Sequence, residues 1–325
     1  MGRAHPIFFC EVSWCPMKIA IFGAGGVGAY FGGRLAQAGA DVHLLARGAH
    51  LHALLESGLR VHSPNGDLEL RLPATDRPED IGPTDYVLFC VKSLETERAA
   101  ARLGPLLKEG TAVISLQNGV DNEEKIARII DRDHVVGGVA FIMSTISDPG
   151  VIEHVGELAR IIFGEMDGSR SDRAERFLAF CQKAGIDAEI SADIRSVLWH
   201  KFALICALAG MTATVRLPLG EIRAAGESME MAKNIMREIV AVAGAEGVRL
   251  PPDAVDQMVG LAMKMAPGTY SSLHYDMTRG KPMELEALHG TAVRLAGKHG
   301  LPAPMCQAVY AILKPWALHN ELSPA

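Results

Sequence analysis

The chain has 325 residues, long enough for two domains of ordinary size. With 49% apolar residues, 22% charged residues and a mean hydropathy of +0.15 it can bury a core, which excludes a wholly disordered chain. Its 32 Lys and Arg against 38 Asp and Glu give a net charge of -6, so nucleic acid is not an expected partner and an anionic ligand must be held by a few placed cations.

Residues 1–16 read as an extension ahead of a start at Met17. Their apolar patch, Ile7-Phe8-Phe9-Cys10, is too short for the core of a signal peptide and is cut by Glu11. From Lys18 strands and helices alternate. Lys18–Phe22 is an apolar run that stops at glycines, 26–38 carries apolar residues at helical spacing up to the stop glycine Gly39, and 41–46 reads as the next strand. Ser63-Pro64-Asn65-Gly66 predicts a turn between strands at Leu59–His62 and 68–72. Residues 86–91 are continuously apolar, as in a strand covered on both faces. A helical stretch over 94–107, a strand over Ala112–Ser115, a helix near 122–130 and a strand over 135–141 continue the alternation, which predicts a parallel sheet with right-handed crossovers.

Beyond 190–193 no strand is predicted. Residues 194–215, 221–246, 252–265, 283–299 and 304–318 read as helices, with Pro251-Pro252 and Pro302 marking starts. The expected fold is α/β: a Rossmann-type doubly wound sheet domain over 17–191, followed by an all-helical C-terminal domain over 192–325. The longest apolar stretch, 14 residues from Phe202 to Val215, falls short of the roughly 20 needed to cross a bilayer, so no membrane partner is expected. Six cysteines without C-x-x-C spacing indicate neither a zinc site nor a disulfide framework, and a cytoplasmic location is the expectation.

Gly23-Ala24-Gly25-Gly26-Val27-Gly28 matches G-x-G-x-x-G, directly after a predicted strand and at the start of a predicted helix. Gly23 allows the tight turn, Gly25 lets backbone approach a pyrophosphate, and Gly28 lets helix and strand pack closely. The helix N-terminus supplies free N–H groups and a favourable dipole for that pyrophosphate. The cofactor choice is read about 20 residues on, where an NAD site wants an acid. Here Arg47 stands at the strand end and no acid follows until Glu56. A guanidinium grips a 2′-phosphate bidentately, so NADP is the expected cofactor.

Three further stretches form a pattern. Cys90-Val91-Lys92 and Leu116-Gln117-Asn118-Gly119 end strands, and Trp199-His200-Lys201 opens the first helix of the second domain; Ser271-Ser272 is followed by Glu284 in Met283-Glu284-Leu285-Glu286. From Met17 nearly to the C-terminus the chain resembles the ketopantoate reductase (2-dehydropantoate 2-reductase) family. The resemblance implies NADPH bound in the cleft between the domains and reduction of a 2-oxo acid to its hydroxy acid on the route to pantothenate and coenzyme A. It implies Lys201 as the catalytic lysine that protonates the carbonyl oxygen and Glu284 as a catalytic glutamate near cofactor and substrate. It also implies Ser272 as the serine holding the substrate, Asn118 as the asparagine bridging nicotinamide and substrate, and Lys92 as a lysine on the cofactor side. The chemistry is coherent in its own right: a ketone carbon that takes a hydride leaves an alkoxide, which needs a cation or acid beside it.

Taken singly, each residue has an ordinary reading: Lys201 as a solvated helix lysine, Glu284 as a hydrated face, Ser272 as a helix cap, Asn118-Gly119 as a turn. The chain also departs from the family, which carries asparagines where Ile205, Ala209 and Leu219 stand here. Positions 201, 205 and 209 are expected on one helix face, giving a more apolar pocket with Thr212 as the nearest polar replacement. Three functions therefore stay open: a ketopantoate reductase, a paralogue reducing a less hydroxylated 2-oxo acid, and a non-catalytic NADP-binding sensor. The expected partner is a small 2-oxo acid, and a homodimer is an open assembly state.

Overall fold

The computed structural model describes residues 16–322, so the extension expected over 1–16 falls, apart from Pro16, outside the described residues. The first half runs β1 (Lys18–Phe22), α1 (Gly26–Gln37), β2 (Asp41–Leu45), α2 (Gly48–Ser57), β3 (Leu59–His62), β4 (Leu68–Leu70) and β5 (Ala74–Thr75). It continues with β6 (Tyr86–Phe89), α3 (Thr96–Ala100), β7 (Ala112–Ser115), α4 (Asn122–Ala127), β8 (Val135–Asp148), β9 (Val151–Glu165), α5 (Asp172–Lys183) and β10 (Asp187–Ile190).

The ten strands form one sheet in the order β4-β3-β9-β8-β7-β6-β1-β2-β5, with β10 beside β9. From β8 to β5 every pairing is parallel. Along β1, Ile19 and Ile21 join one core with Phe31, Leu35 and Phe177, whereas Ala20 and Phe22 join another with Phe89 and Leu103. That two-residue alternation means the sheet is covered on both faces, which is why β6 and β7 read as unbroken apolar runs.

The sheet is mixed rather than wholly parallel. β8 and β9 pair antiparallel, because Pro149 and Gly150 alone link them and a parallel pair needs a crossover of a dozen residues or more. Gly150 has φ of +79°, which suits so tight a reversal. The β3–β4 hairpin predicted around Asn65-Gly66 is present. The stretch 94–107 is not one helix: α3 lies between short 3₁₀ turns at Ser93–Glu95 and Gly104–Leu106, and Pro105 prevents a continuous ladder.

The second half begins with α6 (Ile194–Val215), followed by α7 (Leu219–Ala224), α8 (Gly226–Ala245), α9 (Ala254–Lys264) and α10 (Ser272–Thr278). A single π-helical turn at Glu286–Gly290 leads into α11 (Thr291–Lys298), and α12 (Pro304–Leu322) ends the described chain. Asp193 caps α6, its carboxylate accepting from the Ser196 N–H at 3.1 Å. α6 is the one helix among the described residues long and apolar enough to cross a bilayer, and 67% of its most apolar stretch is buried as the axis of the helical core.

Candidate active site

Order in the sheet reverses at β1, which lies between β2 and β6, and open α/β sheets bind ligands beyond the carboxyl ends of their strands at such a point. The glycine turn begins there. Gly23 has φ of +102°, and a Cβ on it would lie 2.8 Å from the Val91 nitrogen. A Cβ on Gly28 would meet the Gly23 carbonyl at 2.3 Å, so helix and strand are as close as the motif predicts. Gly25 is different: nothing lies within 4 Å of where its Cβ would be. The open face at Gly25, beside the N-terminus of α1, fits a dinucleotide pyrophosphate. Ala24 is buried, Val27 is half-buried, and Gly26 lies under the Ser144 carbonyl of β8, 2.4 Å from a would-be Cβ.

Beyond the end of β7, Asn118 is half-buried. Its side-chain oxygen accepts from Lys201 Nζ at 3.0 Å, and the same amine donates to the Ala140 carbonyl of β8 at 2.7 Å. The amine also lies 5.6 Å from the centre of the Phe141 ring. Burial pulls it down from 10.5 to about 8, and the nearby Glu284 carboxylate opposes that fall. Glu284 is itself buried, its Oε1 accepting from the Ser93 N–H at 2.8 Å and the Ser93 hydroxyl at 2.6 Å. Lys201, Asn118 and Glu284 thus meet where the two domains touch.

The turn after β6 carries a second tie. Lys92 Nζ lies 2.8 Å from Asp276 Oδ2 in α10 and donates to the Pro282 carbonyl at 3.3 Å. Expected on the cofactor side, Lys92 in this structure joins the two domains. Arg47 follows β2 as expected, with its side chain 62% exposed, but Glu95 Oε2 lies 3.6 Å from its guanidinium.

Thr212 requires a correction. It is buried, its hydroxyl donates to the Leu208 carbonyl at 2.8 Å and lies 2.7 Å from Ser271 Oγ, so it fastens α10 to α6 and does not open onto a substrate. No helix was predicted over α10, and that helix is what covers it. Ser271 rather than Ser272 caps α10, accepting from the His274 N–H at 3.1 Å; Ser272 starts the helix and is exposed. The single face expected through 201, 205 and 209 also needs revision. At 3.6 residues per turn, position 209 has drifted about 80° from position 201, whereas 205 lies about 40° and 208 about 20° away. Ile205 and Leu208 are accordingly half-buried beside Lys201, while Ala209 and Leu219 are buried.

Sequence reasoning missed Ser93, Glu95, Asp276, Leu208 and the Ala140 carbonyl. Leu208 was recoverable from helix geometry; the others depend on contacts far apart in the chain.

A separate groove of about 600 Å³ between the domains is lined by Ser93, Thr96, Glu123, Trp199, Thr291 and Arg294 among others, and by none of Lys201, Asn118 or Glu284. Glu123 is 3% exposed there, its Oε1 has no hydrogen-bond partner, and burial raises its carboxyl from 4.5 to about 7. Between those two values the folded chain holds a proton that the unfolded chain has released, so Glu123 makes stability fall as pH rises from 4.5 through 7. Glu123→Gln is expected to remove that slope and to stabilise the protein by about 3 kcal/mol at pH 8. Urea unfolding of both proteins at pH 5 and pH 8 checks this, and parallel pH dependences would refute it.

The chain is similar to known proteins over most of its length. The family described as ketopantoate reductase PanE/ApbA matches residues 19–168, and its C-terminal counterpart matches 193–317. A 2-dehydropantoate 2-reductase of Mesorhizobium japonicum is 33% identical over 331 residues, covering 94% of this chain and 99% of the relative. The uncharacterized oxidoreductase YkpB of Bacillus subtilis strain 168 is 32% identical over 301 residues, covering 92% and 98%. Among solved structures, a PanE/ApbA family ketopantoate reductase of Ralstonia eutropha JMP134 superposes with a TM-score of 0.86 at 33% identity, covering 94% of this chain and all of that one.

Proposed function

We propose, from the premise that the chain belongs to the ketopantoate reductase family, that this oxidoreductase uses NADPH to reduce 2-dehydropantoate to pantoate, a step towards pantothenate and coenzyme A. The observation that carries the reading is Lys201: an ammonium gathered between Asn118 and the Ala140 carbonyl, with its pKa lowered to about 8. A group with that pKa is charged near neutrality and still willing to give up its proton.

The pyrophosphate would lie against Gly25 and the N-terminus of α1, with Arg47 at the ribose edge. A reduced nicotinamide, when bound, supplies the hydride. The chain does the rest. Lys201 gives its proton to the oxygen that becomes the hydroxyl and steadies the negative charge building there. Because Lys201 occupies the Asn118 oxygen, the Asn118 amide nitrogen is the group left to donate to nicotinamide or substrate. Glu284, held by Ser93, keeps a negative charge near the lysine and so maintains its protonated form. Ser272, on the exposed start of α10, is the proposed hold on the substrate.

A second reading has its own observation. Ile205 and Leu208 make the strip beside Lys201 apolar, which favours a 2-oxo acid with fewer hydroxyls than 2-dehydropantoate. NADPH oxidation with a panel of 2-oxo acids separates the two: turnover of 2-dehydropantoate supports the first, turnover of unhydroxylated acids alone supports the second. Binding of NADPH without turnover of any acid would defeat both. Ile205→Asn is expected to raise activity on 2-dehydropantoate relative to unhydroxylated acids, by roughly 3- to 10-fold for one added hydrogen bond. An unchanged ratio across the panel would show that Ile205 does not meet the substrate.

A further inference from the structure

We infer that Glu95 sets how strictly the protein distinguishes the phosphorylated from the unphosphorylated nicotinamide dinucleotide. It does so by competing with a 2′-phosphate for Arg47 and by offering the carboxylate to which a free ribose 2′-hydroxyl can donate. The inference rests on the reading that Arg47 meets the adenosine ribose.

Along the chain after β2 no acid follows Arg47 until Glu56, and Arg47 alone would select strongly for the phosphate. Folding changes that balance. Glu95 comes from the turn between β6 and α3, and its Oε2 lies 3.6 Å from the Arg47 guanidinium and 3.8 Å from that of Arg98. Two guanidiniums share one carboxylate, so this corner carries a net charge of +1 rather than +2. The backbone that bears the carboxylate is fastened just ahead of it, which keeps Glu95 within reach of Arg47. Lys92, three residues before Glu95, pairs with Asp276, and Ser93 donates twice to Glu284.

An arriving phosphate must therefore share Arg47 with a negative charge already beside it. The side chains of Arg47 and Arg98 are 62% and 78% exposed, so solvent and salt weaken the repulsion without removing it. A dinucleotide without the phosphate meets a carboxylate at the ribose edge, the group that open α/β sheets usually take from the end of the second strand. Here it arrives from the neighbouring crossover. Both cofactors should bind, with NADPH preferred by a smaller factor than Arg47 alone would produce.

The test is the dissociation constant of NADPH and of NADH, each measured by calorimetry on the unmodified protein, on Glu95→Gln and on Arg47→Ala. Glu95→Gln should tighten NADPH by roughly 5- to 30-fold and leave NADH unchanged or weaker. Arg47→Ala should weaken NADPH and shift the ratio towards NADH. If Arg47→Ala shifts the ratio and Glu95→Gln does not, Glu95 takes no part in selection and the inference is overturned while Arg47 keeps its place. If Arg47→Ala leaves the ratio untouched, the placement of Arg47 fails first and the role of Glu95 falls with it. Equal tightening of both cofactors by Glu95→Gln likewise overturns the inference, since the carboxylate would then repel the pyrophosphate they share.

Discussion

Lys201→Ala should lower kcat by about 10²- to 10⁴-fold, the usual contribution of a placed general acid, while leaving NADPH affinity nearly unchanged. The cofactor should be spared because its pyrophosphate is assigned to the Gly23–Gly28 turn, whereas Nζ of Lys201 is engaged by Asn118 and Ala140. The pH profile gives a second readout. The donor is the protonated amine and its pKa is about 8, so the reduction rate should be level below that pH and fall tenfold per unit above it. In the reverse, oxidative direction the neutral amine is the useful form, and the rate should rise through the same pH. Both inflections should vanish in the alanine variant. Glu284→Ala should cost less, and the two losses should not add if the pair acts as a unit. A variant at 201 that keeps full kcat would pass the proton to water or to the half-buried His200, whose Nε2 has no partner and whose pKa burial lowers. Urea unfolding of the variant guards against a merely misfolded protein.

Arg47→Asp should weaken NADPH binding by roughly 10- to 150-fold and narrow or invert the preference over NADH. A charge-assisted hydrogen bond contributes about 1.5–3 kcal/mol, and the substitution adds repulsion to the loss. Titration of each cofactor with the protein measures this directly. A ratio of NADPH to NADH affinity that the substitution leaves unchanged would show that Arg47 does not read the 2′-phosphate.

What could be read from the sequence was local, and what could not was brought together from a distance. The glycine turn was legible because a strand, three glycines and a helix start lie within about a dozen residues, and each glycine answers to its own steric demand. The parallel core strands were legible as apolar runs. β9 was not: its middle, Val155–Leu158, is exposed and interrupted by Gly156 and Glu157, so neither alternation nor continuity marks it. Thr212 looked like a ligand because nothing near it in the chain predicts that α10 covers it. Ala209 looked like a neighbour of Lys201 because a spacing of four, repeated, drifts steadily around a helix whose period is 3.6. Glu95 escaped notice for a different reason: it lies 48 positions from Arg47, and only the adjacency of β2, β1 and β6 brings the two together.

The short turn after β6 joins three partners within four residues: Asp276 through Lys92, Glu284 through Ser93, and Arg47 through Glu95. Two of those ties run to the helical half and one to Arg47 beyond the end of β2, so the turn is a shared strut. Whatever stiffens it from one side is felt on the other, and thermodynamics makes the traffic symmetric. If a dinucleotide on one side of the turn changes affinity for the proposed substrate on the other, the substrate must change affinity for the dinucleotide by the same factor. Loosening the strut would bring that one shared factor closer to unity, and the presence of either molecule would then matter less to how firmly the other is held.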